Sequence, residues 1–143
     1  DSRFQRACMH DSTGRKSYPP QVPPGCMPTI VWFNIPAADP GRARGFYEEA
    51  FAWAAKPFPG IEGAFELATD GIGGEILPRA HPGEPITVFV GVPSVEDYTV
   101  RAERAGGRVV VRKRAVPGRG YFAVIEDTEG NRLGIWEDDP EAG

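Results

Sequence analysis

Cysteine and histidine are scarce in this sequence of 143 residues. Its two cysteines, Cys8 and Cys26, both lie in the first 28 residues, and its two histidines are His10 and His81. From residue 29 onward the sequence therefore has neither a disulfide nor a thiolate metal site. Because no disulfide is needed to stabilise the fold, we expect the protein to reside in the reducing cytoplasm.

Long apolar runs and an excess of positive charge are also lacking. No apolar run approaches the roughly 20 residues that cross a bilayer, and the N-terminal residues lack the apolar region of a secretory signal. The formal net charge is -4, so there is no overall attraction to nucleic acid or to an anionic membrane. We therefore exclude both as partners.

Proline, by contrast, is abundant, and its distribution divides the chain into two parts. Five prolines lie between residues 19 and 28 among Ser, Thr and Gly, with no apolar periodicity. This composition predicts an irregular N-terminal arm over residues 1–28. Residues 29–143 have regular patterns, and we predict one domain there.

Residues 29–80 predict a strand, a helix and three further strands. TIVWFNIP alternates as a strand does and ends at Pro36, after which Asp39 caps a helix with Pro40 at its first position. Short extended segments bounded by glycine or proline follow, as in a β-meander: AKPFPG, GAFELATD and GIGGEILP. The predicted apolar face of the helix consists of Ala43, Phe46, Ala50 and Phe51.

The same order of elements returns in residues 86–139. The strand ITVFVGVP precedes a capping box from Ser94 to Asp97, and the helix that follows ends at Gly106. RVVVRKRAV, YFAVIEDT and RLGIWED predict three more strands, and DTEGN predicts the turn between the last two.

The sequences of the two halves match one another. Residues 30–36 match residues 87–93 at an offset of 57, and Ile76 matches Ile135 at an offset of 59. Because the first and last strands match in the same order, the pattern indicates an internal duplication.

Three segments together resemble the vicinal oxygen chelate superfamily: FNIPAADPGRARGFYEEAFAW, GVPSVEDYTVRAERAGGRVVV and VPGRGYFAVIEDTEGNRLGIWE. Its members include glyoxalase I, extradiol dioxygenases, and the bleomycin and fosfomycin resistance proteins. The resemblance covers about residues 29–139. It implies the α+β fold of the glyoxalase/bleomycin resistance/dihydroxybiphenyl dioxygenase type, in which two βαβββ modules form a curled mixed sheet around a cleft. It also implies a homodimer, whereas the substrate does not follow from the fold.

Side-chain alternation along the strands predicts which residues face this cleft. The aliphatic set, with Ile76 and Ile135, belongs under the helices, and the mixed set faces the cleft. An apolar concave surface with few polar groups is typical of a small-molecule site, although the same aromatic residues could instead fill the cleft as core. The predicted ligand-binding residues are Trp32, Asn34, Leu77, Thr87, Phe89, Arg132 and Trp136, with Ile30 and Glu75 beside them.

A metal is not expected. The metal-using relatives take His, Gln or Glu ligands from the first and last strands of each module, and by position the resemblance implies such a ligand here only at Glu75. The other three positions hold Ile30 or Trp32, Thr87 or Phe89, and Gly134 as the repeat partner of Glu75. One ligand cannot hold a divalent ion. His81 lies in the linker PRAHPGEP and is expected to be exposed, so we predict neither metal nor cofactor.

Three functions are compatible with this sequence. The first is a metal-independent binding protein of the bleomycin-resistance-like type, in which Trp32, Phe89 and Trp136 stack on a small aromatic or cationic ligand. The second is a glyoxalase-like lyase or isomerase in which Glu75 is the general base or part of a metal site. Its enolate would be stabilised by Asn34, Thr87, Arg132 or Tyr121. The third is a dimeric interaction module.

Two further segments have alternative interpretations. VPGRGYF, residues 116–122, is either a mobile lid or a hairpin. The basic run Arg112, Lys113 and Arg114 is expected to be a solvated strand edge, because charged edges deter aggregation.

Overall fold

In a computed structural model, residues 27–143 form an α+β fold, as predicted. These are the residues that the structure describes, so the predicted arm lies outside them except for Met27 and Pro28. The elements follow the predicted order, βαβββ twice: β1 Thr29–Ala37, α1 Pro40–Phe51, β2 Ala54–Pro57, β3 Phe65–Ala68, β4 Gly73–Pro78, β5 Thr87–Gly91, α2 Val95–Arg104, β6 Arg108–Val116, β7 Gly120–Glu126 and β8 Arg132–Asp138. Neither of these helices is long and apolar enough to cross a membrane.

The chain divides into two compact units, residues 31–88 and residues 89–143, the latter joined by residues 27–30. In the unit of residues 31–88 the strand order is β2-β3-β4-β1, in which β1 and β4 are parallel and the other pairs are antiparallel. Its core consists of Ile35, Ala37, Leu67 and Ile76. The predicted placement of the aliphatic side chains is therefore confirmed in this unit.

Helix α1 begins where the sequence predicts. Asp39 is the N-cap, and its Oδ1 accepts a hydrogen bond from the backbone N–H of Arg42 at 3.1 Å. The predicted apolar face, however, is correct only at Ala43. Phe46 and Phe51 are 59% and 55% exposed, and Ala50 is exposed as well.

Ala43 and Tyr47 are the residues of α1 that pack against the core, four positions apart and so on one side of the helix. The ring of Tyr47 stacks on Trp53 at 5.5 Å between centroids. Phe46 and Phe51 contact this pair from the solvent side, with the Phe51 centroid 5.2 Å from that of Trp53. The phenylalanines thus bury area against other rings of the surface instead of against the sheet.

The second unit, residues 89–143, has the strand order β5-β8-β7-β6, with β5 and β8 parallel. Its core consists of Val92, Val95, Ala123 and Ile135. Helix α2 has the predicted cap, because Ser94 Oγ accepts from the backbone N–H of Asp97 at 3.1 Å. The helix ends at Arg104 with Ala105 as its C-cap, and Gly106, which follows, has the positive φ of 99° that glycine adopts easily.

Among residues 27–143, each unit packs its one helix against one face of its sheet and has no helix on the other. In β1 and β4, Ile35 and Ile76 lie under α1, and in β5 and β8, Val90 and Ile135 lie under α2. Side chains at alternate positions therefore point to the opposite side of each sheet. We call these surfaces the helix-free face of residues 31–88 and the helix-free face of residues 89–143.

Candidate functional site

The helix-free face of residues 31–88 carries four of the predicted site residues. In the parallel pair of β1 and β4, Asn34 lies directly beside Glu75, and Leu77 lies two residues further along β4. Trp32 lies beside Gly73 on the same face. The period of two along each strand brings these side chains together, as the sequence pattern predicts.

Trp32 is held by two neighbours. Its indole Nε1 donates to Asn34 Oδ1 at 3.1 Å. Its ring lies over Gly73, since a Cβ at position 73 would be 3.2 Å from the ring atom Cζ3. Glycine at this position lets the indole lie close to the sheet, and the hydrogen bond fixes the direction of the ring.

Glu66 is a site residue that the sequence reasoning missed. In the antiparallel pair of β3 and β4 it lies directly opposite Glu75, and Lys56 on β2 lies on its other side with Nζ 3.6 Å from Glu66 Oε2. Two carboxylates and an amide therefore stand in one row, and Glu75 Oε2 is shielded from solvent. The alternation in FELA could have identified Glu66. Leu67 lies in the core and Phe65 packs against it, so Glu66 between them faces the other side.

The helix-free face of residues 89–143 is aromatic. Phe89 pairs with Gly134 in β5 and β8, and its ring occupies the space above that glycine so closely that no Cβ would fit at position 134. Trp136 lies beside Phe122 in β8 and β7. Phe122 also escaped the sequence reasoning, although its position between Tyr121 and Ala123, both on the helix side, placed it on this face.

Trp136 is oriented in the same manner as Trp32. Its Nε1 donates to Asp138 Oδ1 at 2.5 Å, two residues further along the same face of β8. The ring lies against Gly120, where a Cβ would be 2.7 Å from Cζ2. In each unit, then, an indole N–H is bound by the residue two positions ahead and the ring rests on a glycine of the neighbouring strand.

The strand registers correct one expectation from the duplication. Gly134 lies beside Phe89 as Gly73 lies beside Trp32, and Trp136 lies beside Gly91 as Glu75 lies beside Asn34. Counted from the first strands, the counterpart of Glu75 is therefore Trp136, and Gly134 is the counterpart of Gly73. The shift of two residues leaves every side chain on its predicted face.

The remaining predicted residues lie at the starts of strands or on the helix side. Arg132 is exposed at the start of β8 beside Glu126, whose Oε2 is 3.1 Å from Arg108. Thr87 is half-buried at the start of β5. Tyr121 packs on the helix side of its own unit, with Lys113 Nζ 4.3 Å above its ring, and so not on the helix-free face of residues 89–143.

The structure also tests the predictions for two loops. His81 is exposed between β4 and β5, as expected. Residues 116–120 form a hairpin turn in which the Arg119 N–H donates to Val116 O at 2.9 Å. The C-terminal residues hold this turn, because the Gly118 N–H donates to Ala142 O at 2.8 Å and the Asp139 N–H to Arg119 O at 3.0 Å. These bonds favour the hairpin over the lid.

Known structures share this arrangement of elements. A glyoxalase/bleomycin resistance protein/dioxygenase superfamily member from Vibrio splendidus 12B01 superposes with a TM-score of 0.61 over 79% of this chain and 100% of its own, at 13% identity. A methylmalonyl-CoA epimerase from Streptomyces coelicolor gives 0.58 over 80% and 97%, at 13% identity. The Mn(II)-bound glyoxalase from Novosphingobium aromaticivorans gives 0.54 over 82% and 40%, at 16% identity.

The chain has the vicinal oxygen chelate fold. This confirms the resemblance predicted from the sequence at the level of the fold. No family model matches the sequence.

Two relatives found by sequence have a higher percentage of identical residues than these structures. The anthracycline biosynthesis proteins DnrV of Streptomyces peucetius and DauV of Streptomyces sp. (strain C5) are each 26% identical over 125 residues. The alignment covers 74% of this chain and 46% of each relative. The chain thus spans about half the length of the curated relatives that it matches.

The residues of this vicinal oxygen chelate fold do not fit a resident divalent metal. Strand β8 has no donor at the position that corresponds to Glu75. By the sequence match this position is Gly134, which lies under the Phe89 ring, and by strand register it is Trp136. Residues 27–143 contain no group of three or more His, Cys, Asp or Glu side chains that could hold a metal ion. The donor chemistry of a metal-using relative is therefore missing from the described residues, and the absence of a metal stays a prediction.

Proposed function

We propose that the protein is a metal-independent binding protein for a small planar aromatic molecule, of the bleomycin-resistance-like type. The observation that carries this proposal is the group of aromatic side chains on three adjacent strands of one sheet: Phe89 on β5, Trp136 on β8 and Phe122 on β7. Aromatic rings on an open sheet face offer flat apolar area for stacking. Trp32 offers a further ring on the helix-free face of residues 31–88.

The hydrogen bonds of the two indoles support the same reading. The N–H of Trp136 is bound to Asp138 and the N–H of Trp32 to Asn34, so each ring has a fixed orientation before a ligand arrives. Preorganised rings lose little conformational entropy on binding. A ligand can therefore gain affinity from the ring faces without first having to satisfy a buried N–H.

The class of ligand is proposed from the sequence relatives. Both are named for anthracycline biosynthesis, and anthracyclines are planar polycyclic aromatic molecules. We propose a polycyclic quinone of this kind as the ligand, which the protein would sequester or carry without changing it.

The test is a fluorescence titration with an anthracycline, since a stacked quinone quenches tryptophan. The chain has three tryptophans, and Trp53 packs on the helix side against Tyr47. Trp136→Leu should weaken binding about tenfold or more, because stacking on one aromatic side chain contributes about 1–3 kcal/mol. Trp53→Phe is the matched control and should bind as the wild type does. Equal affinity of Trp136→Leu and the wild type would contradict the proposal.

A second candidate is proton transfer by Glu75, and one observation favours it. Asn34 lies directly beside Glu75, and Glu75 Oε2 is shielded from solvent. A shielded carboxylate is a suitable general base for removing a proton next to a carbonyl group, and the Asn34 amide could donate to the resulting enolate oxygen. This is the lyase or isomerase alternative, in which the proton moves to Glu75 and returns to the neighbouring carbon or oxygen of the same substrate.

Isotope exchange separates the two candidates. In D₂O, an enzyme of this kind should introduce deuterium beside the carbonyl of its substrate, and Glu75→Gln should abolish the exchange. Under the binding proposal Glu75→Gln leaves affinity for the anthracycline within about threefold, which is less than 1 kcal/mol.

A further inference from the structure

Strand β6, at the edge of the sheet of residues 89–143, is irregular. Val109 pairs with Ile125 and Val111 with Val124, and then Arg114 pairs with Phe122. Each of the two register shifts inserts one extra residue into β6, as a β-bulge does. Bulges are common beside functional sites because they redirect side chains.

The second shift exchanges the faces of two basic residues. Without it, Lys113 would lie opposite Phe122 and Arg114 opposite Tyr121, following the period of two from Val111. With it, Lys113 lies on the helix side, where its Nζ is 4.3 Å above the ring of Tyr121. Arg114 takes the place opposite Phe122 on the helix-free face.

The result is a row of side chains across three strands. Trp136 on β8 lies beside Phe122 on β7, and Phe122 lies beside Arg114 on β6. Trp136 and Phe122 are half-buried, whereas Arg114 is exposed. Among residues 27–143, no ion pair engages the Arg114 guanidinium.

We infer that Arg114 determines specificity, by binding an anionic substituent of the aromatic ligand. The ligand class is then a planar polycyclic molecule with an acidic group at one edge: the rings stack on Trp136 and Phe122, and the carboxylate or phenolate meets the guanidinium. A guanidinium presents paired N–H donors that match a carboxylate. This inference rests on the proposed function, because it requires that an aromatic ligand occupy this face.

Edge protection alone does not account for Arg114. A charge on an edge strand deters aggregation on either face of the sheet, so Arg112 and Lys113 would serve that purpose without a bulge. What the bulge adds is the placement of the one arginine opposite Phe122. Arg112, which lies in the bulge and is also exposed, is the matched control.

The experiment compares two probes of the same shape, anthraquinone-2-carboxylate and anthraquinone-2-carboxamide, by tryptophan quenching. Wild-type protein should bind the carboxylate about tenfold more tightly, as a charge-assisted pair allows. Arg114→Gln should remove this preference, with a larger loss of affinity for the carboxylate than for the carboxamide. Arg112→Gln should retain the preference, and Arg114→Lys should retain part of it.

The outcomes separate this inference from the proposed function. Equal binding of the two probes by wild-type protein overturns the role of Arg114 but leaves the binding function intact. Equal loss of preference in Arg112→Gln and Arg114→Gln also overturns it, since a general field of the basic run would then be responsible. If neither probe binds, the proposed function fails and this inference fails with it.

Discussion

The ring of Phe89 occupies the space above Gly134, on the neighbouring parallel strand, so that a side chain at position 134 would overlap it. The same relationship links Trp32 and Gly73 in the other unit, at a looser 3.2 Å. Each unit thus places an aromatic ring of its first strand over a glycine of the neighbouring parallel strand. This repeated pairing of ring and glycine explains why the faces are aromatic.

Gly134→Ala should destabilise the protein by about 1–3 kcal/mol, the usual consequence of overpacking. Gly45→Ala is the control, because a Cβ at position 45 in α1 meets nothing within 4 Å. That variant should gain up to about 1 kcal/mol from helix propensity. Urea unfolding measures both free energies.

A double-mutant cycle tests the cause of the Gly134→Ala loss. In the Phe89→Leu background the same substitution should destabilise less, since the two residues are in contact. Additive losses would show that Phe89 is not the obstacle.

Asp127 should make the stability of the last hairpin depend on pH. Its Oδ1 accepts from the backbone N–H groups of Glu129 at 2.8 Å and Asn131 at 2.9 Å. The bonds from Asn131 and Glu129 lower the pKa of Asp127 below its usual value. The ionised form is therefore favoured by folding, so this stabilisation is present above the ordinary pKa of aspartate and is lost as the pH falls through the lowered one.

Asp127→Asn should accordingly lower Tm at neutral pH, and the difference from wild type should vanish under strongly acidic conditions. Asp70→Asn, at an exposed loop position before β4, is the control and should follow the wild type at every pH. Thermal unfolding followed over the acid range measures both. A constant difference between Asp127→Asn and the wild type would contradict the linkage.

Glu137 provides a second cap for helix α2. Its Oε1 accepts from the backbone N–H of Val95, the first residue of the helix, at 2.9 Å in a half-buried position. The carboxylate satisfies an N–H that the helix leaves open and lies at the positive end of the helix dipole.

We expect Glu137→Gln to lower the unfolding free energy by about 1 kcal/mol through loss of the charge, and Glu137→Ala to lower it by about 2 kcal/mol through loss of the acceptor as well. Glu141→Ala, at an exposed position, should have no effect. Urea unfolding followed by helical circular dichroism provides the measurement. A Glu137→Gln variant as stable as the wild type would exclude a contribution from charge.

Alternation made the faces of the strands predictable. A period of two sends Ile35 and Ile76 to one side and Asn34 and Glu75 to the other whatever the neighbouring strand does. The pairing of strands is not encoded in this way, because a shift of two residues keeps every face the same. Gly134 was for this reason matched with Glu75 instead of with Gly73.

The features that escaped prediction depend on tertiary neighbours. Phe46 and Phe51 fit an apolar stripe on α1, yet the sheet below accepts only Ala43 and Tyr47, and rings at the surface take up the rest. The bulge that redirects Arg114 likewise arises from pairing with β7, and RVVVRKRAV alone shows no sign of it.

The hydroxyl of Tyr98 is buried on the inner side of α2 with no hydrogen-bond partner among residues 27–143. Burial raises the pKa of Tyr98, against the charge of Arg101, whose guanidinium carbon lies 5.0 Å above the ring. Removing an unsatisfied hydroxyl removes its desolvation penalty, so Tyr98→Phe should raise the unfolding free energy by about 1 kcal/mol.

The raised pKa of Tyr98 also makes stability depend on pH. Folding favours the neutral phenol, so the stability that comes from this preference is intact below the ordinary tyrosine pKa and is lost as the pH rises through the raised value. Wild-type protein should therefore lose stability in alkaline solution faster than Tyr98→Phe, whereas Tyr121→Phe on β7 should behave as the wild type does. A lower Tm for Tyr98→Phe at neutral pH would show that the hydroxyl has a partner after all.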